Sequence, residues 1–195
     1  NVADNFRMQD VALGGQGAPL APVADEMLFP DYDILLNLGG IANLSCKTTD
    51  GYIAFDLTGA NQVLNHLVKP LGIPYDHDGR LAAQGKLLAD LLESVEQLPF
   101  FDLPFPKSLG NDWVLNQQLP LYDQADASIP DKLHTACRQI ARQIAKDVAL
   151  CLDQDGVNDY PLRMLATGGG VFNEFLMRCI REELKVLDGV NLEIP

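Results

Sequence analysis

Two glycine clusters each follow an apolar run: Leu36-Asn37-Leu38-Gly39-Gly40-Ile41-Ala42-Asn43 and Met164-Leu165-Ala166-Thr167-Gly168-Gly169-Gly170-Val171-Phe172-Asn173. Turns stripped of side chains expose backbone N–H groups, and a helix starting behind them adds partial positive charge. That is the chemistry of phosphate or nucleotide binding. The candidates for it are Gly39, Gly40 and Asn43 in the first cluster and Gly168, Gly169, Gly170 and Asn173 in the second. A tight turn packed for geometry alone accounts equally for either cluster taken singly. Neither fits G-x-G-x-x-G at the start of a Rossmann helix or G-x-x-x-x-G-K-[ST], so a dinucleotide dehydrogenase and a P-loop enzyme are disfavoured.

A carboxylate accompanies the glycines. In Ile53-Ala54-Phe55-Asp56-Leu57-Thr58-Gly59-Ala60-Asn61, Asp56 closes an apolar run and is delivered at the mouth of the sheet, where open α/β sheets place ligands. Asp56 is the candidate catalytic base. A helix N-cap, served by Asp56, Thr58 or Asn61, is the alternative. Upstream, Arg7 and Asp10 in Asn5-Phe6-Arg7-Met8-Gln9-Asp10 precede the loop Leu13-Gly14-Gly15-Gln16-Gly17-Ala18-Pro19. An arginine suits a bidentate grip on a carboxylate, and a surface ion pair between Arg7 and Asp10 is the competing reading. Glycines this dense in an ordered loop point to positive φ or close ligand approach; a flexible linker is the other possibility. His66, His77 and His134 share no spacing and read as ordinary histidines.

The elements that hold these residues follow from patterning. Residues 33–38, 43–48 and 52–57 are strand-like, punctuated by Gly39-Gly40 and Asp50-Gly51, and connections this short join antiparallel neighbours. A three-strand meander is predicted. After Gly59 the spacing turns helical through Val63, Leu64, Leu67 and Val68, and a second helix is predicted over 79–98. Residues 21–29 suit a short helix, and 100–126 read as a long connection with short helical turns. Pro130 suits the first turn of a long helix to about Leu152, with Ile140, Ile144, Val148 and Leu152 as its buried stripe. A strand over 162–166, a helix over 173–187 and a strand over 190–194 complete an α/β sheet.

Composition bounds the rest. The 195 residues are enough for one substantial core or two small lobes, and 47% hydrophobic with 21% charged residues is ordinary for a globular chain. With 14 Lys and Arg against 27 Asp and Glu the net charge is −13, which repels phosphate backbones and argues against a nucleic-acid surface. Arg138, Arg142 and Lys146 repeat every four residues and read as a solvated helix face. The four cysteines have no CxxC pair and no histidine at ligand spacing, so zinc and disulfide frameworks are weak readings and a reducing cytoplasm is expected. No apolar stretch approaches the ~20 residues of a membrane span. Asn43-Leu44-Ser45 matches a glycosylation sequon by chance.

The motifs together carry a resemblance. Phe6-Arg7 and Asp10-Val11-Ala12-Leu13-Gly14-Gly15-Gln16-Gly17-Ala18-Pro19-Leu20, with Leu36-Asn37-Leu38-Gly39-Gly40-Ile41-Ala42-Asn43-Leu44-Ser45, resemble the anhydro-N-acetylmuramic acid kinase family. Pro74-Tyr75-Asp76-His77-Asp78, Pro106-Lys107-Ser108-Leu109-Gly110 and Gly168-Gly169-Gly170-Val171-Phe172-Asn173 fall in the family's order. The resemblance implies a ribonuclease H-like, actin-like ATPase fold whose mixed sheet opens in three antiparallel strands. Residues 1–30 would be the end of an N-terminal lobe with an active-site loop, and 31–195 an incomplete C-terminal lobe. It also implies an ATP- and Mg²⁺-dependent kinase of bacterial cell-wall recycling. Such a kinase hydrolyses the anhydro bridge of its sugar and phosphorylates the freed primary hydroxyl.

By position in the family pattern Phe-Asp-Thr-Gly-Pro-Gly-Asn, Asp56 is the general base that activates water, and Arg7, Asp10, Gln16, Gly17 and Asn61 fall to the sugar. The chain departs from that pattern with Leu57-Thr58-Gly59-Ala60 where the family carries Thr-Gly-Pro-Gly. The family's Gly-Thr-Ser-x-Asp-Gly phosphate loop and its C-terminal Gly-Asp-Asp helix are not among these residues, so an internal piece, inactive alone, is expected. The expected partners are a small sugar and ATP, with no membrane and a homodimer left open. The alternative is a catalytically idle homologue that binds sugar or nucleotide.

Overall fold

A computed structural model describes residues 27–48, 51–152 and 161–195. Its frame is one five-stranded mixed sheet in the order β3-β2-β1-β4-β5. The opening meander is β1 (Ile34–Leu38), β2 (Ile41–Thr48) and β3 (Gly51–Gly59), each antiparallel to the next. β4 (Leu162–Thr167) returns parallel to β1, and β5 (Val190–Glu193) parallel to β4. The C-terminal ends of β1 and β4 therefore lie side by side, with Asn37 opposite Thr167. Each runs straight into a glycine turn.

Helix α1 (Asn61–Val68) buries the predicted face, Val63, Leu64, Leu67 and Val68. A second helix was expected over 79–98, but the chain forms two short ones, α2 (Arg80–Gln84) and α3 (Ala89–Glu96). The break has a long-range cause. Gly85 is extended at the end of α2, and a Cβ there would fall on the Pro130 carbonyl. The N–H groups freed by the break donate across to side chains of the long helix over Ile129–Leu152: Lys86 to Asp131 Oδ1 at 2.7 Å and Leu88 to Thr135 Oγ1 at 3.0 Å. Gly85→Ala should therefore force the two segments apart and lower stability by about 1–3 kcal/mol, read as a reduced urea midpoint at unchanged slope.

The connection 100–126 packs as short turns, as predicted. α4 (Asn111–Trp113) passes through a π turn (Val114–Gln118) into α5 (Leu119–Gln124). α6 (Ile129–Leu152) is the central helix, and Ile140, Ile144 and Val148 join Leu36, Leu44 and Phe55 in one buried cluster. Its basic row is engaged by neighbouring elements: Arg138 pairs with Glu182 and Glu183, Arg142 with Glu96, and Lys146 with Asp102. α7 (Glu174–Leu184) begins directly behind the second glycine turn and stops three residues short of the expected end. All four cysteines are free and buried. Among the described residues no helix is long and apolar enough to cross a membrane.

Candidate functional site

The two glycine turns meet at the ends of β1 and β4. Gly168 has φ +85°, a backbone that a side chain would strain, and a Cβ there would stand 2.8 Å from the Leu38 carbonyl. A Cβ on Gly170 would stand 2.7 Å from that of Leu38. Both glycines are thus needed for close approach of the two turns, which is the packing reading of the second cluster. Gly169 is different: a Cβ there would meet nothing nearer than Asn61 Nδ2 at 3.8 Å. Its open side faces a cavity.

That cavity, of about 520 Å³, is walled by Asn61, Leu64 and Asn65 of α1, by Gly169, Phe172 and Asn173, and by the run Tyr75, Asp76, His77, Asp78. Three predicted site residues, Asn61, Gly169 and Asn173, come together in it. Asn61 is fixed because its Nδ2 donates to the Leu38 carbonyl at 3.0 Å. Asn173 N-caps α7, its Oδ1 accepting from Leu176 N–H at 2.9 Å. Two large rings in the walls are left to solvent, Phe172 at 77% and Tyr75 at 55% exposure.

The wall from 75 to 80 is held by its own carboxylates. Asp76 accepts from the N–H groups of Leu81 and Ala82, both at 2.9 Å, and so holds the first turn of α2. Asp78 bridges His77 Nδ1 at 2.8 Å and Arg80 at 2.9 Å, from a backbone with φ +56°. Gly79 next to it leaves room for the Asn173 side chain. Tyr75-Asp76-His77-Asp78 stands out in the sequence only as part of a family motif, with nothing to place it in the site. A non-glycine residue held at positive φ ahead of a glycine is a signal only coordinates carry.

In the first glycine turn the carbonyls serve the helix behind it. The carbonyl of Gly39 accepts from Asn61 N–H at 3.1 Å, and that of Gly40 accepts from Ala60 N–H at 2.8 Å and Gln62 N–H at 3.1 Å. The turn thus satisfies the amino end of α1 with its carbonyls. Ala60 occupies the N-cap and makes no side-chain cap bond, so neither Asp56, Thr58 nor Asn61 is the cap considered above.

Asp56 was expected to close β3, but it lies inside the strand, three residues before Gly59. A bulge decides where it points. Ala42 pairs with Thr58 and Asn43 with Asp56, leaving Leu57 as the extra residue. Directly opposed residues share a face and successive residues of β2 do not, so Thr58 and Asp56 lie on opposite faces. Thr58 enters a buried network in which Gln118 Nε2 donates to Thr58 Oγ1 at 3.0 Å and to Gln139 Oε1 at 3.2 Å, and Gly59 N–H donates to Gln118 Oε1 at 3.1 Å.

Asp56 itself is 6% exposed, and its Oδ2 accepts from Leu109 N–H at 2.7 Å and from the Ser108 hydroxyl at 3.1 Å. It shares a face with Asn43, the third residue of β2. The structure thus makes two groups: Asp56 with Asn43, and Asn61 with Gly169 and Asn173. Asp56 does not line the cavity. Arg7, Asp10, Gln16 and Gly17 lie outside the described residues, as does most of the helix predicted over 21–29.

The family model for anhydro-N-acetylmuramic acid kinase matches residues 1–192. This chain belongs to the anhydro-N-acetylmuramic acid kinase family. Relatives carrying that name include those of Nitrosospira multiformis, 34% identical over 94% of this chain and 50% of its own length, and Bordetella pertussis, 38% identical over 96% and 52%. The chain spans about half the length of the curated relatives it matches. Among solved structures, a xylulose kinase from Rhodospirillum rubrum superposes with a TM-score of 0.50 at 18% identity, covering 84% of this chain and 35% of that one. One from Brucella ovis gives 0.50 at 16% identity, covering 83% and 35%. At these identities the likeness shows the fold, the ribonuclease H-like, actin-like ATPase lobe expected from the sequence.

Proposed function

We propose that this chain forms part of an ATP-dependent sugar kinase that opens the anhydro bridge of anhydro-N-acetylmuramic acid and phosphorylates the freed primary hydroxyl. The observation that carries the nucleotide side is the cavity at the ends of β1 and β4. A glycine whose nearest neighbour on its open side is the Asn61 amide at 3.8 Å, two exposed aromatic rings and fixed asparagine amides suit a planar base with a polar sugar. ATP supplies the phosphoryl group. Mg²⁺ in such kinases is held by one or two carboxylates together with the phosphates of the nucleotide.

On this reading Asp56 takes a proton from water as the water oxygen bonds to the anomeric carbon of the sugar and the bond from that carbon to the bridging oxygen breaks. The freed oxygen then bonds to the γ-phosphorus, ADP leaves, and Asp56 returns its proton to solvent. Asn43, on the same face, stands beside it. Arg7, Asp10, Gln16 and Gly17 are assigned to the sugar on the family pattern. The test is coupled ADP release by the full-length protein. Release that requires the anhydro sugar is the expected result. Binding of the sugar or of ATP without sugar-dependent release would instead establish the idle homologue.

A further inference from the structure

We propose that Ser108 is a positioning residue for Asp56, and that the buried pair of Lys107 and Asp147 is the anchor that keeps Ser108 in place. The proposal rests on the reading of Asp56 as the base. Three consecutive residues, 107 to 109, hold Asp56 and anchor the segment that does so. The Lys107 carbonyl accepts the N–H of Asp56 at 2.9 Å, tying the segment to the outer edge of β3. The Ser108 hydroxyl and the Leu109 N–H converge on one carboxylate oxygen of Asp56 at 3.1 and 2.7 Å. The Lys107 side chain runs the other way, its ammonium reaching Asp147 Oδ1 of α6 at 3.3 Å.

The anchor is built for geometry. Lys107 and Asp147 are 3% and 0% exposed, and the second oxygen of Asp147 accepts from Gln143 Nε2 at 2.7 Å. The ammonium also contacts the Phe101 carbonyl at 3.5 Å and lies 5.2 Å from the centre of the Phe100 ring. Burying two charges returns little net stability against an apolar pair of the same volume, but it admits few alternative arrangements. Phe55 stacked on Phe105 at 4.9 Å closes the other end of the segment.

What this does for Asp56 follows from donor chemistry. Two donors on one oxygen fix the plane of the carboxylate and favour its charged form, the form that accepts a proton. The two donors are not equivalent. An amide can only donate, whereas a hydroxyl can turn and accept when Asp56 is protonated, so Ser108 serves both halves of the proton cycle. A merely structural serine would affect stability alone.

The test uses the full-length protein, with ADP release driven by the anhydro sugar and followed against pH, for Ser108→Ala, Ser108→Thr and Asp56→Asn. Ser108→Ala is expected to lower kcat about tenfold, to leave KM for ATP within about twofold, and to move the acid limb of the profile up by about one unit. Ser108→Thr, which keeps a hydroxyl, is expected to restore both kcat and the limb. If Asp56→Asn is inactive while Ser108→Ala retains the wild-type kcat and acid limb, the positioning role is overturned and the base assignment stands. If Ser108→Thr is as impaired as Ser108→Ala, the hydroxyl is not what matters and the role is likewise overturned. If Asp56→Asn keeps its activity, the base assignment itself falls.

Discussion

Asp56→Asn in the full-length protein is expected to lower kcat for sugar-dependent ADP release by about 10²–10⁴-fold while leaving KM for ATP within about twofold. The asparagine has the shape of the aspartate and can still accept a hydrogen bond from Leu109 N–H through its carbonyl, so the bulged strand has no reason to move. It cannot take a proton from water. The split between the parameters follows from the two groupings in the structure: the cavity formed by Asn61, Gly169, Phe172 and Asn173 does not include Asp56. A loss confined to kcat supports a base that acts apart from the nucleotide. A variant with near-normal turnover removes Asp56 from the proton transfer, and a large rise in KM for ATP reassigns it to nucleotide binding.

How far the sequence speaks for this site depends on whether the signal is local. The meander was legible because Gly39-Gly40 and Asp50-Gly51 are local punctuation, and α6 because its apolar repeat runs unbroken through Ile140, Ile144 and Val148. The meeting of β1 and β4 through their glycine turns was legible only as two similar motifs. What presses them together is the absence of side chains at Gly168 and Gly170 against Leu38. The split into α2 and α3 was not legible, since the residue that leaves no room for a side chain at Gly85 is Pro130, far along the chain. Asp56 was assigned correctly to the third strand and placed wrongly within it. A bulge belongs to a pair of strands, and nothing in β3 alone announces that Leu57 has no partner.

The departure of this chain from the family pattern can be read in the same physical terms. Leu57 and Ala60 are fully buried, Thr58 is bound into the network with Gln118 and Gln139, and the N–H of Gly59 is taken by Gln118. These four residues are held by the protein interior on the face opposite Asp56 or at the entry to α1. The segment is therefore integrated into the core, and the variation it carries has matching partners in the π turn and in α6.

The largest stability effect is expected at the anchor. Lys107→Met or Asp147→Leu alone should each cost about 3–5 kcal/mol, because each leaves its partner as a buried charge without a counterion. The double variant Lys107→Met with Asp147→Leu should recover most of that loss, and a double-mutant cycle by urea denaturation reads the coupling directly. The pH dependence gives a second check. Burial pushes the Asp147 carboxyl above its ordinary 3.8, against the opposing pull of Gln143 and Lys107. With Lys107 removed, part of that pull is gone and the carboxyl is driven further up. The folded chain then holds the proton more tightly than the unfolded one, so the stability of Lys107→Met should be highest near and below pH 3.8 as far as this group is concerned. It should fall as pH rises from there through the raised value of Asp147. Equal stability of Lys107→Met and the double variant at neutral pH, with no coupling in the cycle, would show that Asp147 does not depend on Lys107. The segment that orients Asp56 would then need another anchor.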